Sequence, residues 1–203
     1  MMKKLLTVAL LASAALSASA EFRWGPMAGV YLGNYHWRQP LVESKMQPGF
    51  QAGLLGEIMI PGIGFGIDLG VNYSMHASKI SLGDQYIWSS DGYGDVDFKM
   101  HNIEVPVHLR FKWTRMEGFE QYLAPFAYVG PVFQFHVKQS DCKAIEHPLG
   151  SVSIQFGIGA EILRNIQLSG SYMWTPTYSI RTVKLDNFSA SNSGWTVNLA
   201  YLF

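Results

Sequence analysis

The sequence predicts an all-β fold, an eight-stranded antiparallel up-and-down transmembrane β-barrel. Three observations predict it. Period-two alternation of apolar and small or polar residues recurs in eight runs, and that period marks a strand with one apolar face. The linkers between runs switch between tight and long, and large aromatics gather towards the ends of the apolar rows, which is the pattern of a sheet closed inside a membrane.

The first twenty residues carry Lys3 and Lys4, an apolar run from Leu5 to Leu16, and Ala18-Ser19-Ala20. That is the three-part layout of a cleaved secretory signal, so the sequence divides into a signal at 1–20 and a barrel domain at 21–203. Glu21 in place of a cysteine argues against a lipoprotein. The apolar run falls short of the about 20 residues a membrane-spanning helix needs, and no later segment supplies one. Membrane residence therefore has to come from strands. Without Lys3 and Lys4 the chain has 13 basic and 15 acidic residues, too even for a nucleic-acid surface or a polybasic tether. Charged residues are 15% of the chain, against roughly 25% in soluble domains. The lone Cys142 has no partner for an internal disulfide and no His or Cys at metal-ligand spacing. Neither a cofactor nor a metal is expected.

The eight runs follow in order. Residues 22–34 set Trp24, Ala28, Val30 and Leu32 against Arg23, Gly25, Gly29 and Gly33. Residues 49–60 oppose Phe50, Ala52, Leu54 and Ile58 to Gln51, Gly53 and Glu57. The cleanest run, 65–75, opposes Phe65, Ile67, Leu69, Val71 and Tyr73 to Gly66, Asp68, Gly70, Asn72 and Ser74. In 102–113, Ile103, Val105, Val107, Leu109, Phe111 and Trp113 alternate with Asn102, Glu104, His108, Arg110 and Lys112. Residues 123–137 are apolar on both faces, which leaves their register open. In 151–162, Val152, Ile154, Phe156 and Ile158 oppose Ser153, Gln155, Gly157 and Glu161; in 166–174, Leu168, Tyr172 and Trp174 oppose Gln167, Ser169 and Ser171. The last run, 193–203, carries the apolar row Trp195, Val197, Leu199, Tyr201 and Phe203, and is expected to pair with 22–34. Closure is required because an open edge in hydrocarbon strands backbone groups at several kcal/mol each. Pro106, Pro125 and Pro131 lack a ladder donor and are expected at bulges or rims.

Alternation alone allows the apolar face to point inwards, as in a soluble lipocalin-like ligand barrel. The polar face argues otherwise, because Gly, Ser, Gln and Asn suit an eight-stranded interior that side chains just fill. Two belts of aromatics support the same choice. Trp24, Phe65, Phe111, Trp113, Tyr201 and Phe203 lie at the tight-turn end, and Phe50, Tyr73, Trp174 and Trp195 at the long-loop end. This layout implies residence in the outer membrane of a Gram-negative bacterium, surrounded by its lipid, with both termini periplasmic.

Two segments resemble a known family. Ile103-Glu104-Val105-Pro106-Val107-His108-Leu109-Arg110-Phe111 resembles the fourth-strand segment of PorT-like outer-membrane β-barrel proteins of the Bacteroidetes type. Pro125-Phe126-Ala127-Tyr128-Val129-Gly130-Pro131 is similar to that family's fifth-strand segment. The resemblance implies fold and location; the family is functionally broad, and a secretion role does not follow. The aromatic last residue also resembles the C-terminal signal read by the barrel-assembly machinery, which would make Trp195, Val197, Leu199, Tyr201 and Phe203 an assembly signal.

Arg23, Glu57, Asp68, Arg110 and Glu161 are expected in the tight-turn half of the interior, with Glu104 nearer mid-height. Such a group reads as an ion-paired filling of the lumen, since buried charges have to be paired. A narrow polar path for small ions is the competing reading. Ser74 and His76 share the inner face near the loop end, with His36, His101 and His136 towards the same level, so an outer-membrane hydrolase is the third reading. The chain shows no catalytic motif of defined spacing; Asp84, Asp91 and Asp95 lie in a loop, and no catalytic residue is assigned. Tyr86, Trp88 and Tyr93 are loop aromatics suited either to recognition or to covering the mouth. The leading expectation is a non-enzymatic barrel that anchors surface loops for envelope integrity or for binding a ligand or envelope protein.

Overall fold

Ten strands run in chain order: β1 (Glu21–Trp37), β2 (Glu43–Met59), β3 (Phe65–Ser81), β4 (Asp95–Lys112), β5 (Leu123–Gln139), β6 (Ile145–Glu146), β7 (Gly150–Ile162), β8 (Ile166–Trp174), β9 (Ile180–Thr182) and β10 (Ser189–Tyr201). They come from a computed structural model that describes residues 21–37, 43–60, 63–81, 95–113, 118–140, 145–146, 148–177, 179–182 and 189–203. Eight of them form the wall, each antiparallel to the next in the order β1-β2-β3-β4-β5-β7-β8-β10. The wall closes where β10 pairs with β1, from Met27↔Ala200 to Trp37↔Ala190. No edge of the wall is left for lipid to face.

The apolar rows lie outside. Val30, Leu54, Ile67, Leu69, Val71, Leu109, Phe156, Ile158, Val197 and Leu199 are all exposed. Aromatics meet on the outer surface near both ends of these rows. At the turn end, Phe65 lies 4.9 Å from Phe111, Phe111 5.1 Å from Trp113, and Trp24 5.9 Å from Phe203. At the loop end, Phe50 lies 6.0 Å from Tyr73 and Tyr172 5.0 Å from Trp195. On β4 and the residue that follows it, the apolar outward row runs from Trp113 to Ile103. At about 3.3 Å per residue and a tilt of roughly 40°, that row covers about 25 Å along the membrane normal, the height of a lipid-facing band.

Glycines on the inner face make room for rings. Tyr128 and Phe126 face Gly157 and Gly159 across the β5–β7 pairing. A Cβ at Gly157 would stand 2.5 Å from the Tyr128 ring, and one at Gly159 2.4 Å from that of Phe126. This resolves the register of the fifth run: Ala124, Phe126, Tyr128, Val132, Gln134 and His136 are buried, whereas Val129, Phe133, Phe135 and Val137 are exposed.

Several strands outrun the sequence expectation at the loop end. β1 reaches Trp37, β3 reaches Ser81, and β2 and β4 begin at Glu43 and Asp95. The reason is an inversion of polarity. Tyr35, Ile80, Phe98, Met100, Ile180 and Ala190 form an apolar cluster inside this end of the barrel, while Lys45, Asp97 and Lys99 face outwards. Sequence alternation with apolar residues outwards stops there, but strand pairing continues. Register shifts between Met46 and Phe50 and between His101 and Asn102 break the period as well. The short β6 and β9 pair with each other, and β9 adds to β10.

The prolines depart from expectation too. Pro106 and Pro131 sit in mid-wall rather than at bulges or rims. Pairing of β3 with β4 skips from Leu69↔Val107 to Asn72↔Glu104, and pairing of β4 with β5 skips from Pro106↔Val132 to Leu109↔Val129, with register kept on both sides. Each missing N–H removes a ladder bond without adding a residue, so no bulge results. Pro125 does lie at the turn end, where its carbonyl accepts from Trp113 N.

Candidate functional site: the filled lumen

The inner face of each strand contributes every second residue, and the stagger of a closed sheet brings residues from distant strands to one height. Arg23, Glu57 and Asp68 are successive register partners across β1, β2 and β3. Arg110 enters from β4, where its partner Gly66 carries no side chain, and Glu161 enters from β7. Arg110 Nε donates to Asp68 Oδ2 at 2.7 Å, and its Nη1 donates to Glu57 Oε2 at 2.7 Å. Arg23 Nη2 lies 2.5 Å from both Glu57 Oε1 and Glu161 Oε2.

Two residues outside the expected group complete the lattice. Lys112 Nζ donates to Glu57 Oε1 at 2.5 Å and to Glu161 Oε2 at 2.8 Å. Gln167 Nε2 donates to the same two carboxylates at 2.7 and 2.9 Å, and its Oε1 accepts from Arg110. Lys112 was legible as an inward neighbour of Arg110 on the same strand, two residues on; the part played by Gln167 follows from strand stagger that sequence does not state. Three cations thus face three carboxylates, and Glu57, fully buried, touches all three cations. The Arg110 guanidinium also lies 4.0 Å over the Phe126 ring, a contact that favours a weakly hydrated cation. Charges this deep are tolerable only when paired and hydrogen-bonded.

Glu104 does not join this lattice. Its register partner is Asn72, four residues along β3 from Asp68, and Gly70 and Pro106 occupy the level between. That thin level leaves a cavity of about 40 Å³ lined by residues that include Asp68, Asn72, Glu104, Pro106 and His108. Asp68 Oδ1, Asn72 Oδ1 and His108 Nε2 have no protein partner, and the space suits a few water molecules that would satisfy them.

Above the cavity Glu104 collects neutral donors. Ser74 Oγ donates to its Oε1 at 2.8 Å and Gln134 Nε2 at 2.9 Å, and His76 Nε2 lies 3.1 Å away. The Tyr31 ring stacks on His76 at 3.9 Å while its hydroxyl donates to Asn192 Oδ1. Asn192 Nδ2 lies 2.8 Å from His76 Nδ1, and Asn102 Oδ1 lies 2.7 Å from His136 Nδ1. Ser74 thus directs its proton to a carboxylate rather than to a histidine, and both Ser74 and His76 are buried. That arrangement is not one of nucleophile and base. The apolar cluster around Phe98 and Ile180 then fills the loop end.

Trp195, Val197, Leu199, Tyr201 and Phe203 are exposed on the outer wall. Tyr86, Trp88, Tyr93 and Cys142 lie outside the described residues, as does the 1–20 segment. Among the described residues no group of His, Cys, Asp and Glu has the arrangement to hold a metal ion.

The sequence matches the family described as "Outer membrane protein beta-barrel domain" over residues 5–203. The chain belongs to that outer-membrane β-barrel family. Its place is therefore the outer membrane of a Gram-negative bacterium. The crystal structure of the outer membrane protein OprG from Pseudomonas aeruginosa is similar in fold, with a TM-score of 0.56 and 10% identity over 91% of this chain and 96% of that one. Neisserial surface protein A gives 0.45 at 12% identity over 90% and 99%, and Ail, the attachment invasion locus protein of Yersinia pestis, gives 0.40 at 14% over 90% and 99%. No curated protein matches the sequence. In this outer-membrane barrel the outward rows are the lipid face, and the charged lattice and the Glu104 network are its inner contents.

Proposed function

We propose that this protein is a non-enzymatic, non-conducting outer-membrane barrel whose wall holds its loops at the cell surface for envelope integrity or binding. The observation that carries the reading is the lumen. From turn end to loop end it passes through the charged lattice, the small cavity, the Glu104 network and the apolar cluster. Eight strands enclose only enough room for such a filling. The tight turns and both termini face the periplasm, the 1–20 segment is removed on export, and the row from Trp195 to Phe203 is read by the barrel-assembly machinery. Within the broad family, the segments 103–111 and 125–131 favour a PorT-like relationship.

The test is conductance. Purified protein in planar lipid bilayers is expected to give no steady current, and reproducible single-channel steps abolished by Glu104→Ala would replace this reading with a narrow pore. Orientation is read separately, by protease treatment of intact cells, which should cut only the long-loop end.

A further inference from the structure

The charges of the described lumen residues do not balance. The lattice is neutral in itself, three cations against three carboxylates, but Glu104, 3% exposed, adds a fourth carboxylate to the same interior. A histidine proton is the first candidate for the missing charge, and the bonding around His76 argues against it. Asn192 Oδ1 accepts from Tyr31, which turns its Nδ2 towards His76 Nδ1 at 2.8 Å. Asn102 Oδ1 faces His136 Nδ1, and its Nδ2 lies 3.4 Å from both Ser74 Oγ and His76 Nδ1. Two amide N–H groups thus point at one ring nitrogen, so Nδ1 accepts and His76 is neutral, with its proton on Nε2 towards Glu104. Glu104 then meets neutral donors only, and a buried charge without a counter-charge is costly.

The cavity beside Glu104 is lined with acceptors. Asp68 gives Oδ2 to Arg110 and keeps Oδ1 free, Asn72 Oδ1 and His108 Nε2 are likewise unpartnered, and the three residues are only 2%, 5% and 5% exposed. The tautomer of His108 follows from its neighbour. Gln155 Nε2 donates to Ser171 and Thr196, so it is the Gln155 carbonyl that His108 bonds, through Nδ1. Nε2 is therefore a bare lone pair. Arg110, the cation on this wall, is already engaged by Asp68 Oδ2, Glu57 and Gln167. Two oxygens and a nitrogen, all acceptors, thus meet a space of about 40 Å³. At about 10–15 Å³ a particle, that is room for about three bodies the size of water.

We infer that the cavity is a site for a monovalent cation of sodium's size, which faces Asp68 Oδ1, Asn72 Oδ1 and His108 Nε2, completes its shell with water and supplies the positive charge that Glu104 lacks. One charge is missing, which a monovalent ion matches and a divalent ion overshoots. Carboxylate and amide oxygens suit a hard ion, and an alkali ion does not need the cage of carboxylates and imidazoles that is absent among the described residues. The lattice closes the cavity on one side, and the Glu104 network and the apolar cluster close it on the other. The ion is therefore enclosed as the barrel folds rather than conducted. The site does not depend on the orientation of the barrel or on the role of its loops.

The test follows the urea-dependent folding equilibrium of the purified full barrel in phosphatidylcholine vesicles at about pH 8, where histidines of the unfolded chain are neutral. Sodium chloride is exchanged for N-methyl-D-glucamine chloride at constant ionic strength. An ion bound only by the folded state raises the folding constant with its concentration, so a tenfold rise in sodium should strengthen folding about fivefold or more. Glu104→Gln leaves the lumen neutral and should fold equally well in either salt. Asn72→Leu, which removes an acceptor and no charge, should weaken the sodium effect. Absence of a sodium effect in the wild type, which needs no variant to fold, overturns the proposal, and so does a full effect in either variant. Folding that ignores sodium and weakens as pH rises through the histidine range would assign the missing charge to a proton on His76, His108 or His136, and would also overturn it.

Discussion

Below the cavity the barrel is filled by full charges, and above it by neutral donors around one carboxylate and then by hydrocarbon. Glu57 is held by two guanidiniums and an ammonium, whereas the donors to Glu104 are a hydroxyl and an amide, with an imidazole at 3.1 Å. The same lumen thus uses two ways of burying polarity. In the turn half each group depends on partners of opposite sign, so removing one leaves several charges uncompensated. In the loop half the polar contacts converge on one carboxylate, so losing any one of its partners leaves the others in place, and the apolar cluster resembles the core of a small soluble protein. The contrast teaches that the two ends should fail differently.

The harshest way to probe it is Glu57→Ala. Three cations lose a shared partner, and the expected cost is about 3–5 kcal/mol, the usual penalty for breaking a buried pair, read as a lower urea midpoint for unfolding from lipid vesicles. A change below 1 kcal/mol would mean that water enters the lattice and screens it. Next comes Phe98→Ala. Truncating this fully buried ring should cost about 3 kcal/mol locally, seen as faster protease cleavage at the loop end with the global midpoint unmoved. A fall in the global midpoint would show that the two ends unfold as one unit. The mildest is Glu104→Gln, which keeps an acceptor for Ser74 or Gln134 and loses charge. About 1–2 kcal/mol is expected, and a cost matching that of Glu57→Ala would erase the distinction between the halves.

The wall was largely legible in the sequence because lipid on one side and a narrow interior on the other impose strict alternation. β3 and β4 show it best, since neither face mixes large apolar and charged residues through the membrane. The loop-end extensions were not legible, because there the apolar residues Tyr35, Ile80, Phe98 and Met100 turn inwards and the pattern reverses. Inside the barrel, parity identified Arg23, Glu57, Asp68, Arg110 and Glu161 as sharing a face, but the pairs they make depend on stagger. That is why the bonds of Lys112, itself legible as an inward residue, and the part played by Gln167 appear only in three dimensions, and why Glu104, so near Arg110 in sequence, keeps other company. Tyr31 does not stand out in the sequence, since nothing local says that Gly33 and Gly194 leave space for its ring.

The inward rings seated on Gly157 and Gly159 have a consequence for the surrounding membrane. A cylinder packed across its whole bore cannot flatten or change its tilt to suit a thicker or thinner bilayer. The about 25 Å between its aromatic belts is then a fixed length, and lipids bordering β4 have to stretch or compress to meet it, at fractions of a kcal/mol per Å. Neighbouring molecules that need the same thickness would feel less distortion near this protein than far from it, so a stiff barrel draws company through the bilayer's elasticity without touching it.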